Sequence, residues 1–155
     1  MKYTQLIEQY AVGGRKLAES IRGLTREQFL SFPIPGTWSI QQIVMHMADS
    51  DLVVSDRMKR VIAEDNPTLL AYDEKKFAAS LFYEDQPADQ AVVLIDLNRK
   101  LFTNILRRLP ETAFARTGTH TERGRLTLAQ VLESAVNHLE HHLKFIKEKR
   151  EKLGK

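Results

Sequence analysis

Four stretches of the chain carry apolar residues at three- and four-residue steps, the spacing that collects them on one face of an α-helix. In the first, Ile7, Tyr10, Gly14, Leu17 and Ile21 predict a helix over residues 4–22. In the second, Ile40, Val44, Met47, Met58 and Ile62 share a row with Asp51 and Ser55, which predicts a helix from Ile40 to Glu64. The third opens at Pro87, a residue favoured in a first helical turn. Leu94, Leu97, Leu101 and Ile105 form its apolar stripe, and it ends near Leu109-Pro110. The fourth runs to Leu153, with Val131, Ala135, His138, His142 and Phe145 in one row flanked by Leu132, Leu139, Leu143 and Ile146. Four such helices predict an all-α four-helix bundle with short helices in its connections, built as a single domain over residues 1–155.

Local start signals support this division. In the capping box a Ser or Thr accepts from the backbone three residues on, and a Gln or Glu there reaches back; an apolar pair brackets the turn. Leu24-Thr25-Arg26-Glu27-Gln28-Phe29, Trp38-Ser39-Ile40-Gln41-Gln42-Ile43 and Leu126-Thr127-Leu128-Ala129-Gln130-Val131 all read this way. Pro33, Pro35 and Gly36 stop the first of these, and Asn66-Pro67 ends the second long helix. Residues 65–86 then form a long connection, in which Tyr72-Asp73-Glu74-Lys75-Lys76-Phe77 predicts a short helix capped by Asp73. Connections of this length are either functional or plain crossovers. Thr117 to Gly124 reads as a polar loop that leaves His120 exposed. Gly13 and Gly14 sit inside the first helix, where glycine costs about 1 kcal/mol relative to alanine. Close approach of another helix at Gly14, or a kink, would account for them.

Composition narrows the functional classes. With 43% apolar and 28% charged residues the chain is that of an ordinary globular domain. The absence of cysteine excludes thiolate metal sites, a cysteine nucleophile and disulfides, and suits a reducing cytosol. Met1-Lys2-Tyr3-Thr4-Gln5 lacks the apolar run of a signal peptide, and no apolar stretch approaches a membrane span, so a cytoplasmic location without membrane contact is expected. The net charge of +3 owes much to Lys144, Lys147, Lys149, Arg150, Lys152 and Lys155. Cations there complement the dipole of the last helix. No basic stripe interleaved with aromatic residues accompanies them, so no nucleic-acid partner is expected.

His138 and His142 are four residues apart and share one helical face, whereas His141 is rotated off it. Neutral imidazoles on an apolar face cost free energy unless they find partners. A third donor has to come from another helix, and His46 is the only histidine on a different long one. A satisfied, half-buried histidine is the competing reading of His46. Three imidazoles suit zinc or nickel, and by ligand type also iron or copper; three protein ligands leave a position open, as in catalytic sites. The chain has no His-Glu-x-x-His and no Glu-x-x-His pair, and neither a phosphate-cradling glycine loop nor a serine elbow.

Trp38-Ser39-Ile40, His46-Met47-Ala48-Asp49-Ser50, Tyr72-Asp73-Glu74, His120 to Gly124 and His138-Leu139-Glu140-His141-His142 fall in that order along nearly the whole chain. In this the sequence resembles the DinB-like superfamily, in its YfiT-like branch of metal-dependent hydrolases and thiol S-transferases. The resemblance implies that His46, His138 and His142 are the metal ligands, that the metal is zinc or nickel, and that the protein forms a homodimer. It implies a small-molecule substrate and a reaction that either transfers a low-molecular-weight thiol, of the bacillithiol or mycothiol kind, or hydrolyses. Asp49 and the His120 loop are typical of the branch and carry no assigned role. Against this stands a non-catalytic binding or stress-response module that uses the bundle to dimerise.

Overall fold

The computed structural model describes residues 2–155. Seven α-helices are connected in the order α1 (Thr4–Ala11), α2 (Gly13–Ser20), α3 (Arg26–Leu30), α4 (Ile40–Ala63), α5 (Glu74–Ser80), α6 (Ala88–Leu106) and α7 (Leu128–Lys152). The consecutive pair α1–α2 serves as one arm of a four-helix bundle. It packs on α6 and α7, and α4 packs on the same two helices.

The predicted start signals are formed. Thr25, Ser39 and Thr127 each cap a helix, and Gln28, Gln42 and Gln130 close the three boxes from the other side. Asp73 caps α5, its carboxylate accepting from the amides of Lys75 and Lys76 at 3.0 Å. Tyr72 packs on Phe77 with ring centroids 4.9 Å apart. The first helix departs from expectation: it is two segments that meet at Val12. Its glycines also allow close approach. A Cβ on Gly14 would lie 2.5 Å from the Cα of Asp96, so only glycine lets the α2 backbone rest on α6.

The expected stripe of α6 faces solvent. Leu94, Leu97, Leu101 and Ile105 are 40–68% exposed, and the buried face carries Ala91, Val92, Ile95, Arg99, Phe102 and Leu106 instead. The reason lies in α4. Arg99 Nε donates to Asp51 Oδ1 at 2.7 Å, with both side chains 2% exposed. Asn98 Nδ2 donates to the other carboxylate oxygen at 2.7 Å. The guanidinium also sits over the Tyr10 ring, 4.6 Å from its centroid, in space that a Cβ on Gly13 would fill. This polar layer separates two apolar clusters. One is centred on Tyr10, Met58, Phe102, Phe114 and Leu132; the other on Leu17, Val44, Met47, Ile95 and Leu139.

The loop expected at residues 117–124 belongs to a hairpin. Strand β2 (Thr117–His120) pairs antiparallel with β3 (Gly124–Thr127) and parallel with the two-residue β1 (Thr68–Leu69), in the register Leu69 opposite His120. His120 is therefore only 6% exposed, in contrast to the exposed loop expected. Its Nδ1 accepts from the amides of Glu122 and Arg123 at 3.2 Å and closes the hairpin turn. The sheet ties the long connection to the end of the bundle. No helix among the described residues is long and apolar enough to cross a membrane.

Candidate metal centre

The capping box at Ser39 sets the register of α4, and the box at Thr127 sets that of α7. His46 lies two turns into α4 and is fully buried. His138 and His142 lie one turn apart on α7, with partial burial. Across the two helices their rings converge. His46 Nε2 is 3.1 Å from His138 Nε2, and His142 Nε2 is 3.0 Å from His138 Nε2. His141 is exposed and stays outside the group, as its helical position implies.

Three neutral imidazoles that turn Nε2 toward one another bring three acceptor lone pairs together unless protons intervene. Shared protons satisfy such a group poorly, whereas one cation satisfies all three donors. Ligand nitrogens at about 2.0–2.1 Å from a tetrahedral zinc ion lie about 3.3 Å apart, near the separations here. One ligand atom from each residue falls within 4.8 Å of the other two, and among the described residues this is the one group of three or more metal-ligating side chains so arranged. The residues fit a divalent cation.

The surroundings hold the imidazoles neutral. Burial pushes His46 down to about 4, with His138 adding to the effect. Burial, then the Arg99 guanidinium, lowers His138 to about 4. Burial, then His138 and His46, lowers His142 to about 3. Metal ligation needs this neutral form. The orientation of His138 is set by Ser50, whose Oγ lies 3.2 Å from His138 Nδ1. Ser50 in turn hydrogen-bonds Tyr72, whose hydroxyl is raised chiefly by burial. Such an outer partner fixes which ring nitrogen remains free for a metal. The Nδ1 atoms of His46 and His142 are buried without a protein partner. Trp38 packs edge-on against His46 at 5.1 Å between centroids.

Two functional candidates were not legible as site residues. Glu74, the first residue of α5, places Oε2 3.6 Å from His46 Nε2 and is half exposed. Lys149 is 2% exposed, although it sits among the cations expected to serve the helix dipole. A signal for Lys149 was present, since it continues the row His138, His142, Phe145 at helical spacing. Glu74 stood in the segment Tyr72-Asp73-Glu74 that carries the resemblance but had no role from spacing, because only the fold of residues 65–86 brings α5 over α4. Asp49 belongs to that fold: it accepts from the Tyr83 hydroxyl at 2.5 Å, and Gln41 Nε2 donates to the carbonyls of Tyr83 and Gln86 at 2.7 Å. These bonds pin the connection to α4 and so hold Glu74 over the histidines.

Relatives share this architecture. The solved structure of YfiT from Bacillus subtilis, inferred to be a metal-dependent hydrolase with an unusual four-helix bundle topology, matches with a TM-score of 0.91 at 26% identity, over 97% of this chain and 86% of that one. A mycothiol-dependent maleylpyruvate isomerase shares the fold at a TM-score of 0.69 and 12% identity, over 90% of this chain and 58% of that one. A protein of Oceanobacillus iheyensis inferred to be a metal-dependent hydrolase is 32% identical over 85% of this chain and 76% of its own length. Another from Bacillus mycoides, inferred to have the same activity, is 32% identical over 99% of this chain and 86% of its own length. The DinB superfamily model matches residues 9–146. By this match and these relatives, the chain belongs to the DinB superfamily.

Proposed function

We propose that the protein is a metal-dependent enzyme acting on a small molecule, with His46, His138 and His142 as the ligands of one divalent cation, zinc or nickel. The observation that carries this reading is the convergence of the three Nε2 atoms from two helices. When bound, the cation supplies Lewis acidity, which lowers the pKa of a thiol or water that reaches it. The chain supplies the rest. Ser50 and Tyr72 orient His138, and Trp38 walls off His46 from solvent. Glu74 takes the proton released as the nucleophile forms and, being half exposed, passes it to solvent.

Two reactions share this first step. In the first, a low-molecular-weight thiol of the bacillithiol or mycothiol kind becomes the thiolate and attacks an electrophilic carbon, forming a C–S bond as the bond to a leaving group breaks and that group departs with its electron pair. In the second, water is the nucleophile and the protein is a hydrolase, in keeping with the inferred activity of its relatives. The assay follows loss of an electrophile by zinc- or nickel-loaded protein, with and without added thiol. Thiol-dependent loss supports transfer; metal-dependent loss without thiol supports hydrolysis. Glu74→Gln should lower kcat by on the order of 100-fold in either case. Full activity in both His46→Ala and His138→Ala would sink the metal reading; an inactive metal-loaded wild type, with the biological role intact in both variants, would favour a non-catalytic module.

A homodimer in the cytoplasm completes the proposal. The solvent-facing stripe Leu94, Leu97, Leu101 and Ile105 supports the dimer, since a continuous apolar helix face is costly to leave in water.

A further inference from the structure

A second polar group lies beside the histidines and has no part in holding a metal. Lys149 is on α7, two turns beyond His142, and its side chain is buried to 2% exposure. Its ammonium donates to Thr37 Oγ1, in the loop that leads into α4. Among the described residues it forms no ion pair with any carboxylate. A buried ammonium has three donors and a desolvation cost, and one hydroxyl leaves most of that uncompensated. A structural lysine would extend its head to water. This one instead lines a cavity of about 270 Å³ whose wall also includes Trp38, Ile43, Glu74, Phe145 and His142. One cavity thus brings together a metal-ligand histidine, a carboxylate, the apolar side chains of Trp38, Ile43 and Phe145, and two cations, of which Lys75 is exposed and Lys149 is buried without an ion pair.

We propose that Lys149 is the anion-binding subsite of this pocket, and that the molecule accepted there is a compact carboxylate with a metal-binding head such as a thiol. The proposal rests on the three-histidine reading for the head of that molecule, and on Lys149 alone for its tail. Seven residues separate His142 from Lys149, about 10 Å along the helix axis at 1.5 Å per residue. The cavity holds the volume of about nine water molecules. Both limits favour a molecule of a few carbons between head and anion, with an apolar middle to cover Trp38 and Phe145.

The test compares 6-mercaptohexanoate, 6-mercaptohexanol and hexanoate as ligands of zinc-loaded protein by calorimetry, in wild type and in Lys149→Met. In wild type the mercapto acid should bind at least 10-fold more tightly than the alcohol of equal length. In Lys149→Met that preference should fall to within 2-fold, with the affinity for the alcohol unchanged. Hexanoate lacks the thiol and reads the subsite without the metal: it should bind wild type with and without zinc, and not bind Lys149→Met. Equal binding of acid and alcohol by wild type overturns the proposal without recourse to any variant, as does failure of hexanoate to bind wild type. Retained hexanoate binding with no effect of zinc on either thiol overturns the metal reading and leaves the anion subsite standing.

Discussion

Acid should unfold the metal-free protein through its three clustered histidines, and the size of the effect follows from their surroundings. In the unfolded chain each imidazole titrates at its ordinary value of 6.5; in the fold burial, with His138 beside His46, Arg99 beside His138, and His138 and His46 beside His142, lowers His46 and His138 to about 4 and His142 to about 3. Above pH 6.5 both states are neutral and stability is complete. As the pH falls through 6.5 the unfolded chain takes up protons that the folded one refuses, so stability drops until the folded histidines themselves protonate near pH 4 to 3. Each imidazole contributes roughly 2 kcal/mol of loss between pH 7 and pH 5, and three together roughly 6 kcal/mol, comparable with the whole stability of a modest domain. The steepest slope is about 4 kcal/mol per pH unit for three protons and about 2.7 for two. Urea unfolding in the presence of a chelator, at half-unit steps from pH 7.5 to 5, measures that slope. His142→Gln should remove about a third of it, and saturating zinc should shift the loss to lower pH by competing with protons. Equal slopes in wild type and His142→Gln would show that the three rings do not titrate as a packed, desolvated group.

Three further outcomes check the architecture. Asp51→Ala leaves the buried guanidinium of Arg99 without its counter-ion, which should cost about 3–5 kcal/mol and lower Tm by on the order of 10 °C; a loss under 1 kcal/mol would mean that Arg99 reaches water. Gly14→Ala sets a Cβ against the Asp96 backbone, which no rotamer change relieves, so thermal melts should show a net loss of about 1–3 kcal/mol despite alanine's helix propensity. Leu97→Glu with Leu101→Glu should convert a dimer to monomer in light scattering while circular dichroism shows the helical fold retained, because within one chain both side chains face solvent; unchanged mass would remove α6 from the proposed interface.

Local signals and distant ones differed in how far they could be read. The boxes at Thr25, Ser39 and Thr127 are set by residues three apart, so a single chain displays them whole. His138 and His142 share a face by helical spacing alone, and His46 followed once a partner on another long helix was required. The face of α6 was misread because its four leucine and isoleucine residues resemble a core stripe, while the buried face depends on Arg99 meeting Asp51 from 48 residues away. The same holds for β1, two residues long, whose strand character comes from pairing with Thr119 and His120 about 50 residues on. Glu74 reaches His46 only because Asp49, Gln41 and Tyr83 anchor the connection. Lys149 looked like one more terminal cation because its burial depends on Thr37 and on the loop before α4.

The central claim is that His46, His138 and His142 hold one cation between them. Elemental analysis of tag-free protein, after zinc or nickel loading and gel filtration, tests it most directly. One tightly bound ion per chain is predicted for wild type, falling to a small fraction in His46→Ala and in His138→Ala while both variants remain folded by circular dichroism. Equal metal content in wild type and in both folded variants would contradict the account.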